Sequence, residues 1–167
     1  MAPSDGNWKP SAGAGQPVDV GAISSDGIRS ATGSNAGEFY LLNPEANKIW
    51  IQTTDRPVNG VVFSLDGART EADAVSGSVC NVNNQGVVIK QISHPETSIT
   101  SLAINSPGSK LIAETADGRV FAFDSQGTMT WEVFISGAIT SVALNTSGNN
   151  TAASSGNTAH LLSGDGL

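Results

Sequence analysis

The chain has 167 residues, a formal net charge of −7 and only 14% charged residues against 38% hydrophobic ones, with a pI near 4.5. Its few basic residues are scattered, which argues against nucleic acid as a partner and against an anionic membrane surface. No apolar run approaches the ~20 residues of a membrane helix, and a single cysteine, Cys80, excludes an intrachain disulfide.

The abundance of Gly, Ser, Thr, Asn and Ala is that of a short-stranded, turn-rich β protein. Residues 1–17 open the chain with GNWK (6–9), containing Trp8, and a flexible stretch, SAGAGQP (11–17). They lack the charged and then apolar regions of a signal peptide. From residue 18 the chain repeats. VDVGAISSDG (18–27), VNGVVFSLDG (58–67), ITSLAINSPG (99–108) and ITSVALNTSG (139–148) align without gaps. Their last glycines, Gly27, Gly67, Gly108 and Gly148, recur about every 40 residues. A fixed period of this size marks a solenoid, propeller or array.

The third repeat serves as the template. An apolar run from Ile99 to Asn105 ends at Ser-Pro-Gly and reads as a mostly buried strand followed by a tight turn. Lys110 to Thr115 is a second strand, Arg119 to Asp124 a third, and Thr128 to Ile135 a fourth carrying Trp131. Four short antiparallel strands in about 40 residues make one propeller blade. The columns hold across repeats. Val18, Val58, Ile99 and Ile139 are all β-branched; Ile23, Phe63, Ile104 and Leu144 are all large and apolar. Ala22, Val62, Ala103 and Ala143 form a small-residue column, and Asp19, Asn59, Thr100 and Thr140 a polar one. The expected fold is therefore an all-β propeller of four four-stranded blades, at 18–57, 58–98, 99–138 and 139–167.

The segment GRVFAFDSQGTMTW (118–131) resembles the blade signature of WD40-like and PQQ-type propeller repeats: glycine, strand, Asp, turn glycine, Trp. GEFYLLNPEANKIW (37–50) is similar, with Asn47 near its turn, and GSVCNVNNQGVVIK (77–90) keeps the spacing with Lys90 in place of Trp. The resemblance implies that Trp50 and Trp131 dock between adjacent blades, and that the junction carrying Lys90 is weaker. Related propellers close in rings of six to eight blades. The Gly-His and Trp-Asp pairs of true WD40 repeats are absent. The resemblance implies a fold and leaves function open; no cofactor is expected from it.

The fourth repeat ends after its third strand, at NTAHLLSGDGL (157–167), while Trp8 has no strands before it. Residues 1–17 are therefore expected to supply the missing fourth strand, removing a free sheet edge. The closed object is either a four-bladed monomer or an eight-bladed dimer, and the dimer is favoured.

Loops on a rigid scaffold carry function more often than the scaffold does. The connections from fourth to first strand and the turns from second to third strand should share one face. Candidate binding residues there are Asn35, Asp55, Arg56, His94, Glu96 and Asp117, with Ser34 beside them. The blander reading of each is an ordinary solvated turn. His94 and His160 are the only histidines and lack metal-ligand spacing. No nucleophile elbow or calcium loop is present. Cys80 and His160 read as packing residues. The expected role is non-enzymatic: a protein-interaction or assembly scaffold on a surface or particle exterior, with self-assembly or a protein as partner. A tectonin-like carbohydrate-binding propeller is the alternative, disfavoured because the loops TTDRP, SHPET and FISGA share little. An enzyme using the axial opening, through Asp19, Asn59, Thr100 or Thr140, comes third.

Overall fold

The computed structural model describes residues 17–54, 56–64, 69–74, 78–93 and 98–166, with backbone alone for 69–74 and 93. Among these residues there is no helix. Fifteen strands follow one another: β1 (Val18–Ile23), β2 (Ser30–Ser34), β3 (Glu38–Leu42), β4 (Lys48–Thr53), β5 (Val58–Phe63), β6 (Arg69–Ala74), β7 (Ser78–Asn83), β8 (Val88–Ser93), β9 (Ile99–Ile104), β10 (Lys110–Thr115), β11 (Arg119–Asp124), β12 (Met129–Phe134), β13 (Ile139–Leu144), β14 (Asn150–Ser155) and β15 (Thr158–Ser163). They form four antiparallel sheets in chain order: β1–β4, β5–β8, β9–β12 and the three-stranded β13–β15. The four strands expected around Trp131 are therefore present, nearly residue for residue.

Local chemistry sets the turns. After β1, the Ser24 hydroxyl donates to Asp26 Oδ1 at 2.6 Å, Ile28 N donates to the same carboxylate, and Gly27 closes the turn at φ 70°. Between third and fourth strands, the side-chain oxygens of Asn43, Asn83 and Asp124 each accept two backbone N–H groups. Asn43 is thus the first-sheet equivalent of Asp124. Each sheet also carries a register shift near the start of its first strand or opposite it, which leaves Asp19, Asn59, Thr100 and Thr140 outside the ladder. The polar column read from the sequence is a row of β-bulges, which explains why polar side chains recur inside apolar strands.

The first strands stack side by side: β1 against β5, β5 against β9, β9 against β13. Alternation along each strand then separates an incoming face from an outgoing one. Val58 and Val61 of β5 pack with Cys80 and Val82 of β7 against Ala31, Phe39 and Leu41 of the first sheet. Ile99, Leu102 and Phe121 cluster with Val79 of the second sheet. Ile139, Val142 and Leu162 of the fourth sheet meet Ile112, Val120 and Ala122 of the third. Cys80 is buried, as expected of a small apolar residue. The fit is close: a Cβ on Gly33 would lie 2.8 Å from Val58 Cβ.

Glycines also seat the outer clamps. A Cβ on Gly86 would come within 2.8 Å of Trp50 Cγ, and one on Gly166 within 3.0 Å of the Trp131 ring. Trp131 Nε1 donates to Gly164 O at 2.9 Å. Trp50 stands edge-on to Phe39, ring centroids 5.3 Å apart. Lys90 occupies the corresponding place, its aliphatic stem laid over Gly127. At the matching turn of the first sheet stands Ala46, with φ 62°. Trp8 lies outside the described residues.

The two ends of the stack differ from its interior. β1 and β13 do not pack together as the three neighbouring pairs do. Val18 is 47% exposed, where its equivalents Val58, Ile99 and Ile139 are 2%, 2% and 4% exposed. Ile23 on the same outer face and Leu161 on the outer face of the fourth sheet are 63% and 75% exposed.

Candidate functional site

At one end of the first and third sheets, the turn after the second strand is bound to the connection leaving the fourth. In the first sheet Thr54 N and Oγ1 donate to Gly37 O at 2.6 and 3.0 Å, and Thr54 Oγ1 also reaches Arg56 O at 2.6 Å. In the third sheet Ile135 N donates to Gly118 O at 2.8 Å. Ser155 Oγ of the fourth sheet donates to Ser136 O at 3.0 Å, tying the third connection to its neighbour. Gly37 and Gly118 have φ of 79° and 94°, and a Cβ on either would meet carbonyl oxygens of the adjoining connection. These exposed segments are therefore held by backbone hydrogen bonds on a rigid base.

Asn35 and Arg56 are brought to this end of the first sheet, and both are exposed. Asp117 lies at the corresponding end of the third sheet. Its carboxylate accepts from the Thr115 hydroxyl and pairs with Arg119 Nε at 3.2 Å, and Arg119 Nη1 reaches Glu132 Oε1 at 2.9 Å. The Thr115 hydrogen bond, with Arg119 beside it, holds the Asp117 carboxyl below its ordinary range. Asp117 thus works as a turn and ion-pair residue within its own sheet. Ser34 is buried, its hydroxyl accepting from Glu38 N at 3.2 Å, and so lies beneath this face. Asp55, His94 and Glu96 lie outside the described residues.

The polar column opens toward the same end, with Asp19, Asn59, Thr100 and Thr140 all exposed. Behind Thr100 lies a residue that sequence reasoning missed. Glu114 on β10 is fully buried between the third and fourth sheets; its Oε1 accepts from Thr100 Oγ1 at 2.9 Å and its Oε2 has no hydrogen-bond partner. Burial pushes its carboxyl up despite that hydrogen bond. In the fourth sheet the equivalent position is Ser154, whose hydroxyl is 2.9 Å from Thr140 Oγ1. Alternation with Ile112 was the available signal for Glu114, since both fall on one face of β10.

At the opposite end of the first strands lies an open concavity of about 230 Å³, lined by Phe63, Ile104, Ser106, Leu144 and Thr146. Its apolar lining comes from the large-residue column. Among the described residues no group of three His, Cys, Asp or Glu is placed to hold a metal ion. His160 is half-buried on β15, opposite Ala153 of the core. No protein-family model matches the chain, and no curated protein matches it.

Proposed function

We propose that the four sheets are consecutive propeller blades and that the chain is a non-enzymatic binding scaffold, presenting its turn-and-connection end to a protein partner. Four antiparallel meanders whose first strands lie side by side support the propeller reading. One observation carries the binding reading: exposed Asn35 and Arg56 sit on segments clamped together through Thr54 and Gly37, and the third sheet repeats that clamp through Ile135 and Gly118. Polar, exposed side chains on a backbone that is already ordered bind without the entropic cost of ordering a loop. The sparse charge and abundant small polar residues suit a flat protein contact more than a polyanion.

The test is a comparison of retained proteins. The immobilised chain and a double variant, Asn35→Arg and Arg56→Glu, would be exposed to extract from the source organism. Proteins held by the wild type should be lost from the double variant. They should be kept by a control carrying Gln85→Lys and Gln126→Lys at the other turns. Equal retention by all three, or multivalent binding on a glycan array, would overturn the reading.

A further inference from the structure

We propose that the outer face of the first sheet and the outer face of the fourth sheet bind each other between two copies of the chain, closing two four-sheet arcs into one eight-sheet ring about a twofold axis. The ring rests on the stacking of the sheets as blades and does not depend on what the turn-and-connection end binds.

Every internal junction is built from one set of columns. The incoming sheet supplies Val58 and Val61, Ile99 and Leu102, or Ile139 and Val142, all buried. The receiving sheet supplies the alternate residues, such as Ala22, Ala31 and Leu41, or Ala103, Ile112 and Ala122. The same columns recur uncovered at the ends. Val18, Gly21 and Ile23 form the incoming column of β1, and all are exposed. Ser141, Ala143, Ala152, Ala159 and Leu161 form the receiving columns of the fourth sheet, and all are exposed.

The end faces also match in volume. Where the interior sets Val142 in one cluster with Ala122, the ends carry Gly21 and Leu161: the large residue has moved to the receiving side and the small one to the incoming side. The receiving face holds a shallow hollow of about 150 Å³ lined by Ser141, Ala143, Ala152, Ala153, Ser154 and Ala159. It is uncharged and of the size of a branched aliphatic side chain, which Val18 and Ile23 provide. Since β1 and β13 do not pack together within one chain, the two faces meet only between chains. Each copy carries both, so two copies related by a twofold axis satisfy all four faces with no open end.

The test is absolute mass by light scattering behind a sizing column. The wild type should give twice 17.0 kDa. Ile23→Arg and Ala143→Arg, which put a guanidinium on one face each, should each halve that mass while keeping the strand circular-dichroism signal. Val87→Arg, an exposed apolar residue on the second sheet, should leave it unchanged. The double variant Ile23→Arg with Ala143→Glu should recover the dimer, which separates lost docking from lost folding. A wild-type mass of 17.0 kDa, an open series of larger species, or a dimer untouched by both single variants would overturn the proposal.

Discussion

Val18 and Ile139 stand at the same position of their sheets and meet different fates. Both are β-branched, both precede a bulge, and both begin a strand of six residues. One lies nearly half open and the other is buried. Local propensity is the same at both positions, so the difference comes from the neighbour: a sheet lies across Ile139, and among the described residues no sheet lies across Val18. In a stack of like units, stability is a property of junctions, and the terminal faces pay for their lack of one. The same contrast holds on the other side, where Ala122 is covered and its equivalent Leu161 is open.

Charging both positions should separate them most. Ile139→Asp buries a carboxylate in the third junction and should cost more than about 3 kcal/mol, unfolding a large part of the population. Val18→Asp should change the unfolding free energy of dilute protein, read from urea melts, by less than about 0.5 kcal/mol. Equal losses would mean that the ends are covered by the chain itself.

The junctions should also differ among themselves. Trp131→Ala removes an indole that packs on Gly166 and donates to Gly164, and should cost about 3 kcal/mol. Lys90→Ala removes an exposed stem over Gly127 and should cost less than about 1 kcal/mol. Paired urea melts decide whether the second junction is the weak one.

Glu114 makes the third junction sensitive to pH. Its folded-state carboxyl is raised above the ordinary 4.5 by burial, so the folded state binds its proton more tightly than the unfolded chain. Stability from this group is full below pH 4.5 and falls as pH rises through the folded value. Glu114→Gln should therefore raise the melting temperature at pH 7, by an amount worth about 1 kcal/mol, and flatten its decline above pH 4.5. An unchanged slope would contradict the burial. Smallest of all, Ala46→Gly relieves an alanine at φ 62° and should stabilise the first sheet by about 0.5 kcal/mol, seen as a small rise in urea midpoint.

Much of the fold was legible because the repeat multiplies weak signals. One apolar run with a turn glycine is ambiguous, but four in register fix strands, turns and the alternation of faces. The polar column was visible as a column, yet its cause was not, because a bulge is a feature of pairing with β2, β6, β10 or β14 rather than of the first strand itself. Glu114 was hidden for a similar reason: KLIAET reads as a strand with two polar ends, and only the fourth sheet turns its carboxylate into a buried one. Ser34 looked like a loop residue because Asn35 and Gly37 follow it, but backbone pairing with Val18 extends β2 through it. At the candidate site, Asn35 and Arg56 are placed together by a clamp that sequence spacing does not encode, since Thr54 and Gly37 are joined only across the sheet. The Thr115–Asp117–Arg119 arrangement was readable as a turn. What separated Val18 from its equivalents was not readable at all, since no property of the strand records the absence of a neighbour.

The most direct measurement is thiol labelling of Val18→Cys and Ile139→Cys, each in a Cys80→Ser background, across a range of protein concentrations. Ile139→Cys should stay protected throughout. Val18→Cys should label fast in dilute protein and become protected as concentration rises, because a second copy covers it. Val18→Cys protected equally at every concentration would place its cover within the same chain, and equal fast labelling of both would contradict the stacked-sheet account itself.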